Sequence, residues 1–218
     1  LFRSSDHKNE TEALDELMDL MSDEYVLSDE PKNLTIPVGH RSQFWKGNCL
    51  SLGLAGGFLE PLESTGIHLI QYGIETFMDY FPDRKFDTSL TSAYNKKMTS
   101  AYEESRDFLM LHYYLSQRED TEFWNDCRST KQPVSLEALL NLYDESGVIE
   151  TMTTRAFPAT SYFHILSGGE RYPRRPLAMT NVSDLTKVNQ IMLSIKERNL
   201  VLTEQSPDHK MLIDLINS

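Results

Sequence analysis

Four glycines, two glutamates and a Ser-Thr-Gly tripeptide are concentrated between Gly53 and Gly66. Glycine lets a backbone approach a ligand closely, because no Cβ stands in the way. Backbone amides at the start of a helix lack intrahelical partners and favour an anion. Glu63 adds a carboxylate that could act as a base in a partly dry pocket. The segment could therefore hold a flat cofactor, a small anion and a catalytic carboxylate.

The same residues also have a purely structural interpretation, which composition alone favours. Ser64 or Thr65 could be the N-cap of the following helix, since short hydroxyl side chains bond the first free amides. Glu60 and Glu63 could complement the positive end of the helix dipole. The upstream glycines are harder to explain as turn residues alone, whereas a flat ligand against the backbone would explain them.

Apolar spacing predicts a mainly helical chain whose strands lie before Leu54. Helical patterns cover residues 8–21, 64–81, 89–116, 121–128, 133–143 and 182–198, and a last helix is expected from an N-cap at Ser206 to Ile216. Strands are expected at 1–5, 34–38 and 44–54, and residues 161–167 fit either a helical turn or a short strand. One apolar face of the second helical pattern contains Ile67, Ile70, Ile74, Phe77, Met78 and Phe81.

Composition excludes several classes of protein. The net charge of -12 argues against a nucleic-acid partner, which needs a concentrated basic surface. The sequence contains no apolar run of about 18 residues, so no membrane-spanning helix is expected. The two cysteines make neither a disulfide framework nor a zinc set, so no metal site and a cytoplasmic location are expected. The first residues lack an initiator Met and a signal pattern, so we expect the chain to begin partway through a longer protein.

Four segments, in the right order, resemble the flavin-dependent tryptophan halogenase family. The most distinctive is Phe58-Leu-Glu-Pro-Leu-Glu-Ser-Thr65, which is similar to the family signature. Residues 39–49 are similar to its Gly-x-Arg…Trp-x-x-Asn-Cys segment, and residues 105–114 with 118–124 are similar to a downstream block. Ser206-Pro-Asp-His209 resembles a Pro-x-His near the family's C-terminus.

The resemblance implies an α+β, mainly helical fold that is the C-terminal part of a flavin-monooxygenase-like enzyme. Residues 1–63 would end the sheet-containing flavin and substrate domain, and residues 64–218 would form a helical lobe. The implied reaction is chlorination or bromination of an electron-rich aromatic, such as tryptophan, an indole or a phenol, with FADH2, O2 and chloride or bromide. A separate flavin reductase would supply FADH2, and a homodimer is left open.

The resemblance also assigns roles to individual residues of the loop. Glu63 would be the catalytic carboxylate beside the substrate, and the backbone amides of Thr65 and Gly66 would hold the halide. The residues expected to face the flavin are Gly56, Gly57, Pro61, Ser64, Thr65, Gly66 and Ile67. Phe157 and Tyr162 would contact the aromatic substrate, although each taken singly also fits a core aromatic.

The sequence departs from the family in two respects. It has no Gly-x-Gly-x-x-Gly segment for the FAD pyrophosphate, and no lysine in the catalytic context, since Lys46 is interpreted as a surface residue. We therefore expect this chain alone to bind FAD poorly and not to halogenate. Residues 155–163 lack the Trp and Asn that hold free tryptophan, so another indole or a phenol fits at least as well.

The sequence is also compatible with two other functions, and His112 is one further candidate site residue. The chain could belong to a flavin monooxygenase that hydroxylates or epoxidises, or it could be a non-catalytic fragment that binds a partner through its helices. His112 lies beside two tyrosines, which suggests a site. We interpret it as a satisfied core or interface histidine, because no second metal ligand lies four residues further on.

Overall fold

The structure, a computed structural model, describes residues 6–21, 31–84, 87–150 and 157–218. The strand expected at residues 1–5 lies outside these ranges. Two compact units, Leu1–Pro173 and Arg174–Ser218, divide the chain inside the predicted helical lobe. The domain boundary placed at residue 63 stays a prediction.

Helices account for most of the described residues, which confirms the mainly helical fold. The first unit contains α1 Glu10–Leu20, α2 Thr65–Asp79, α3 Thr88–Tyr114, α4 Glu122–Ser129, α5 Val134–Ser146 and α6 Ala159–Gly168. The second contains α7 Leu185–Gln205 and α8 His209–Ile216. Residues 161–167 are thus helical. The N-cap expected at Ser206 is wrong, because the Asp208 side chain accepts from the amides of Lys210 and Met211.

The described strands are four short pieces that form two antiparallel pairs. They are β1 Gly39–His40, β2 Trp45–Lys46, β3 Cys49–Leu50 and β4 Gly57–Phe58, with β1 paired to β4 and β2 to β3. The strand predicted at 34–38 is wrong: these residues are exposed and irregular. Pro37 removes one amide donor there, and no described strand lies beside this segment to pair with it.

An asparagine of α3 holds the β2–β3 hairpin against the helices. The Asn95 side-chain oxygen accepts from the amides of Phe44 and Trp45, each at 2.8 Å, and its Nδ2 donates to the Trp45 carbonyl at 2.9 Å. Phe44 and Trp45 are buried in a core with Tyr94 and Tyr102. This core fixes the hairpin from which the chain passes into the Gly53–Gly66 segment.

A second core lies towards the C-terminal end of α3. Its members come from α3, α5, α6 and the segment between α5 and α6: Phe108, Leu111, Leu136, Leu139, Leu140, Tyr143, Ile149, Phe157, Tyr162 and Leu166. The long helix α3 therefore belongs to both cores, with Tyr94, Met98 and Phe108 among its buried residues. Its rigidity ties the end of the glycine-rich segment to α5 and α6.

Most of the apolar face predicted on α2 is exposed, and Phe77 is its member that packs against the core containing Phe44 and Trp45. Ile67, Ile74 and Met78 are 72%, 48% and 64% exposed. The buried side instead contains Leu69 and Gly73, and a Cβ at Gly73 would lie 2.6 Å from the Leu52 side chain. Close approach of Leu52 to α2 thus selects glycine at position 73.

Candidate active site

The turn that leads into α2 has an unusual backbone at Ser64. Its amide donates to the Pro61 carbonyl at 3.0 Å, and its φ of 54° is in the left-handed region. Such a conformation is uncommon for a residue other than glycine and is found often at functional sites. Ser64 occupies the N-cap position, yet its side chain makes no capping hydrogen bond. The structural interpretation, in which its hydroxyl satisfies the first amides, is therefore wrong.

The start of α2 consequently has no side-chain cap. A Cβ added to Gly66 would meet nothing within 4 Å. Thr65 is 2% exposed, and its buried Oγ1 has no hydrogen-bond partner among the described residues. Uncapped amides at the positive end of a helix dipole are donors that suit a small anion. The halide site at the amides of Thr65 and Gly66 stays a prediction.

Both carboxylates of the loop bond to α3 rather than to the start of α2. Glu63 Oε1 lies 2.9 Å from His112 Nε2, and the Tyr113 hydroxyl donates to Glu60. No acidic residue lies in the first turn of α2. Two consecutive residues of α3 therefore hold the two glutamates of one loop, which fixes the loop between α2 and α3.

The Tyr113 hydroxyl is well suited to remain a donor. Burial raises the pKa of its phenol, and the hydrogen bond to Glu60 and the charge of Glu60 raise that pKa further. Its ring stacks on Trp124 with the centroids 5.8 Å apart. A cavity of about 230 Å³ lies beside this pair, lined by Glu60, Met110, Tyr113, Phe123, Cys127, Thr130 and Gln132.

The upstream glycines are explained by packing within this chain. A Cβ at Gly57 would lie 2.7 Å from the Gly39 carbonyl oxygen, and one at Gly56 would lie 3.2 Å from the Phe44 ring. Gly53 has a φ of 57°, which glycine adopts without strain. No flat ligand is needed to explain these residue types. Flavin contact by Gly56 and Gly57 stays a prediction, as it does for Pro61 and the exposed Ile67.

Phe157 and Tyr162 lie in the second core, so each also fits the alternative interpretation as a core aromatic. Phe157 is 8% exposed and stacks on Phe108 at 3.9 Å, and Phe108 meets the His112 ring edge-on at 4.9 Å. Tyr162 is 1% exposed, and burial raises the pKa of its phenol. Aromatic rings thus connect Phe157 to His112, and through it to Glu63. No hydrogen bond or ring contact among the described residues joins Phe157 or Tyr162 to Glu63 directly.

Lys46 lies apart from the loop. It is exposed and lines a separate cavity of about 480 Å³ between the β2–β3 hairpin and the start of α3. Across the described ranges, no group of His, Cys, Asp and Glu side chains is arranged to hold a metal ion. Nor does any described helix have the length and apolar character that crossing a bilayer requires.

His112 is the residue whose role sequence reasoning missed. It was interpreted as a satisfied histidine, and it is hydrogen-bonded, but one of its partners is the candidate catalytic carboxylate 49 residues away. The absence of a second metal ligand one helical turn after His112 argues only against a metal site. The available signal was the His-Tyr pair in a helix following a loop with two glutamates.

Solved structures define the class of protein to which this fold and loop correspond. BrvH, a flavin-dependent halogenase from Brevundimonas sp. BAL3, matches with a TM-score of 0.85 at 34% identity, covering 97% of this chain and 42% of that one. A flavin-dependent halogenase from Xanthomonas campestris matches with a TM-score of 0.86 at 30% identity, over the same shares of the two chains. The fold is therefore one found within flavin-dependent halogenases.

Sequence comparison gives the family. The family model described as tryptophan halogenase matches residues 2–184. The tryptophan 6-halogenase SttH of Streptomyces toxytricini is 31% identical over 183 residues, which are 82% of this chain and 35% of that protein. This chain belongs to the tryptophan halogenase family. It spans 35% of the length of that curated relative.

Proposed function

We propose that this chain forms the halide- and substrate-facing part of a flavin-dependent halogenase that chlorinates or brominates an electron-rich aromatic. One observation carries the proposal: the uncapped start of α2 and the carboxylate of Glu63 lie in a single loop, next to each other in sequence. A helix N-terminus attracts an anion and a carboxylate accepts a proton. Aromatic halogenation needs a bound halide that can be oxidised and a group that accepts the ring proton.

The halide would lie against the backbone amides of Thr65 and Gly66. Gly66 leaves open space where any other residue would place a Cβ, and the Ser64 side chain does not compete for the amides. The helix dipole adds attraction for a negative charge at this end. A chain with a net charge of -12 would otherwise repel chloride or bromide, so local donors are essential.

Glu63 would serve the aromatic substrate as the base that accepts the ring proton, or as the group that positions the halogenating species. Its side chain is 40% exposed, so a substrate can reach it from outside this chain. Phe157 and Tyr162 would belong to the substrate wall behind His112. The missing Trp and Asn in residues 155–163 favour an indole or a phenol over free tryptophan.

The flavin would lie on the other side of the loop. The residues assigned to this face are Gly56, Gly57, Pro61, Ser64, Thr65, Gly66 and Ile67, of which Ile67 offers a side chain that is 72% exposed. When bound, reduced FAD and O2 would supply the oxidising power for the reaction. A separate reductase would deliver FADH2 in the cytoplasm. No Gly-x-Gly-x-x-Gly segment lies in this chain, so tight flavin binding requires a full-length enzyme.

Product analysis tests this function. A full-length enzyme containing this chain is incubated with FAD, a flavin reductase and a panel of indoles, phenols and tryptophan, with chloride, bromide or no halide. We expect products with chlorine or bromine isotope patterns, formed only with halide, and none from the 218-residue chain alone. A product that gains oxygen without halide would instead show a hydroxylating monooxygenase.

A further inference from the structure

Both ring nitrogens of His112 face an oxygen atom. Nδ1 lies 2.8 Å from the Phe108 carbonyl oxygen, one helical turn earlier, and Nε2 lies 2.9 Å from Glu63 Oε1. A carbonyl oxygen can only accept, so Nδ1 carries a hydrogen and donates it. The backbone of α3 thereby fixes the orientation of the ring, with Nε2 aimed at the carboxylate.

The bond to Glu63 requires one more proton. A neutral imidazole has a single N–H, and with that hydrogen on Nδ1 its Nε2 would present a lone pair to a carboxylate. The 2.9 Å separation is therefore a hydrogen bond only if a proton lies between Nε2 and Oε1. A carboxylate oxygen is an acceptor, so the geometry assigns this proton to Nε2 of His112 as the donor.

We propose that His112 is the positioning residue for Glu63: as an imidazolium it holds Oε1 by a charge-assisted hydrogen bond and leaves Oε2 for the substrate. The proposal deepens the proposed function and rests on it for the substrate. The exposure of the two side chains fits these roles, because His112 is 17% exposed and Glu63 40%. No described residue is hydrogen-bonded to Oε2.

Among the described residues, the partners of the His112 ring are the Phe108 carbonyl and ring and the Glu63 carboxylate. The edge of the Phe108 ring packs on the imidazole at 4.9 Å, and the neighbouring Tyr113 is a neutral phenol that binds Glu60. Glu63 is the charged group that bonds directly to the ring, and Glu60 is the next carboxylate in the loop. A cation at His112 thus compensates an acidic loop and fixes Glu63 between α2 and α3.

Three histidine variants of the full-length enzyme test the kinetic consequence. His112→Leu removes both hydrogen bonds, and His112→Gln keeps an Nε2 donor but no charge. We expect His112→Leu to lower kcat about 10- to 100-fold, the range for a hydrogen bond to a charged group, with KM for the aromatic substrate nearly unchanged. His112→Gln should recover part of this loss. The matched control is His164→Gln, an exposed histidine on α6, which should behave as wild type. An unchanged kcat in His112→Leu would overturn the proposal, as would a His112→Gln rate no better than that of a correctly folded His112→Leu.

A spectroscopic test separates this proposal from the proposed function. In full-length protein labelled with 15N-histidine, without halide or substrate, both nitrogens of His112 should carry a proton at neutral pH. In Glu63→Gln, Nε2 should lose its proton and Nδ1 should keep it. A singly protonated ring in the wild-type protein would refute the imidazolium. If the NMR result holds but no halogenated product forms, the proposed function fails and the His112–Glu63 pair stands.

Discussion

Glu63 is the single residue on which the proposed chemistry depends most directly. Glu60 and Glu63 lie in the same loop, yet the two carboxylates have different hydrogen-bond partners. Glu63 is bonded to an imidazole and Glu60 to a phenol. The imidazole can carry a compensating charge, whereas the phenol with its raised pKa remains a neutral donor. This difference supports the proposed proton chemistry at Glu63 and leaves Glu60 as a residue that anchors the loop.

Replacing Glu63 by glutamine should remove this proton chemistry. In the full-length enzyme, Glu63→Gln should lower kcat about 100-fold or more, the usual contribution of a positioned base, with FAD affinity nearly unchanged. Steady-state product formation and FAD titration measure the two effects. Glu75→Gln, an exposed glutamate on α2, is the matched control. Wild-type turnover in Glu63→Gln would remove Glu63 from the mechanism.

Ser64 should show the cost of its left-handed backbone. Ser64→Val places a branched side chain at a φ of 54° and should lower the free energy of unfolding by about 1–2 kcal/mol. Ser64→Gly relieves the strain but adds freedom to the unfolded chain, so it should stay within about 1 kcal/mol of wild type. Urea unfolding followed by tryptophan fluorescence compares them. Equal stability of the two variants would contradict the strained conformation.

The sequence predicted the loop residues better than their partners. The glycines, the glutamates and the Ser-Thr-Gly tripeptide are local, so their spacing alone points to an anion and a carboxylate. His112 is 49 residues from Glu63, and its position depends on how α3 packs against the loop. The proximity of Gly56 to Phe44 and of Gly57 to Gly39 also depends on packing, so the sequence could not show it.

At the scale of elements, Asn95 shows how α3 positions the hairpin that precedes the loop. Asn95→Ala should lower the free energy of unfolding by about 2–4 kcal/mol, because the Phe44 and Trp45 amides lose their acceptor beside a core. The exposed Asn141→Ala on α5 should change it by less than about 0.5 kcal/mol. Urea unfolding provides both values. Similar losses of stability in the two variants would show that the Asn95 hydrogen bonds contribute little.

Long helices were predictable, and short elements were not. The apolar stripe of α3, with Tyr94, Met98 and Phe108 buried, follows from the helical period. The strand at 34–38 was wrong because alternation alone cannot supply a pairing partner, and the described strands are only two residues long. The exposed face of α2 was unpredictable for the same reason, since the pattern does not say what covers it.

At the scale of the whole molecule, buried tyrosines should govern stability at high pH. Burial, and then the charge of Tyr102, raises the pKa of Tyr94 to about 12 from an ordinary 10.0. The stability contributed by the neutral phenol is complete below pH 10 and is lost as the pH rises through about 12, since only the unfolded chain releases the proton there.

Unfolding measured across this alkaline range tests the effect. Tyr94→Phe should lose less stability between pH 10 and 12 than wild type does, because one titrating phenol is gone. Tyr172→Phe, at a residue that is 65% exposed, should follow the wild-type curve. Identical pH dependence in all three proteins would show that Tyr94 ionises equally well in the folded chain.

The proposed function depends on halide binding at the start of α2. Bound bromide can be located directly by its anomalous diffraction. Crystals of the full-length enzyme grown with bromide should give an anomalous diffraction peak within hydrogen-bond distance of the Thr65 and Gly66 amides. Halide-free crystals should lack that peak. Bromide bound elsewhere in an active enzyme, with this helix start vacant, would contradict halide binding by the amides of Thr65 and Gly66.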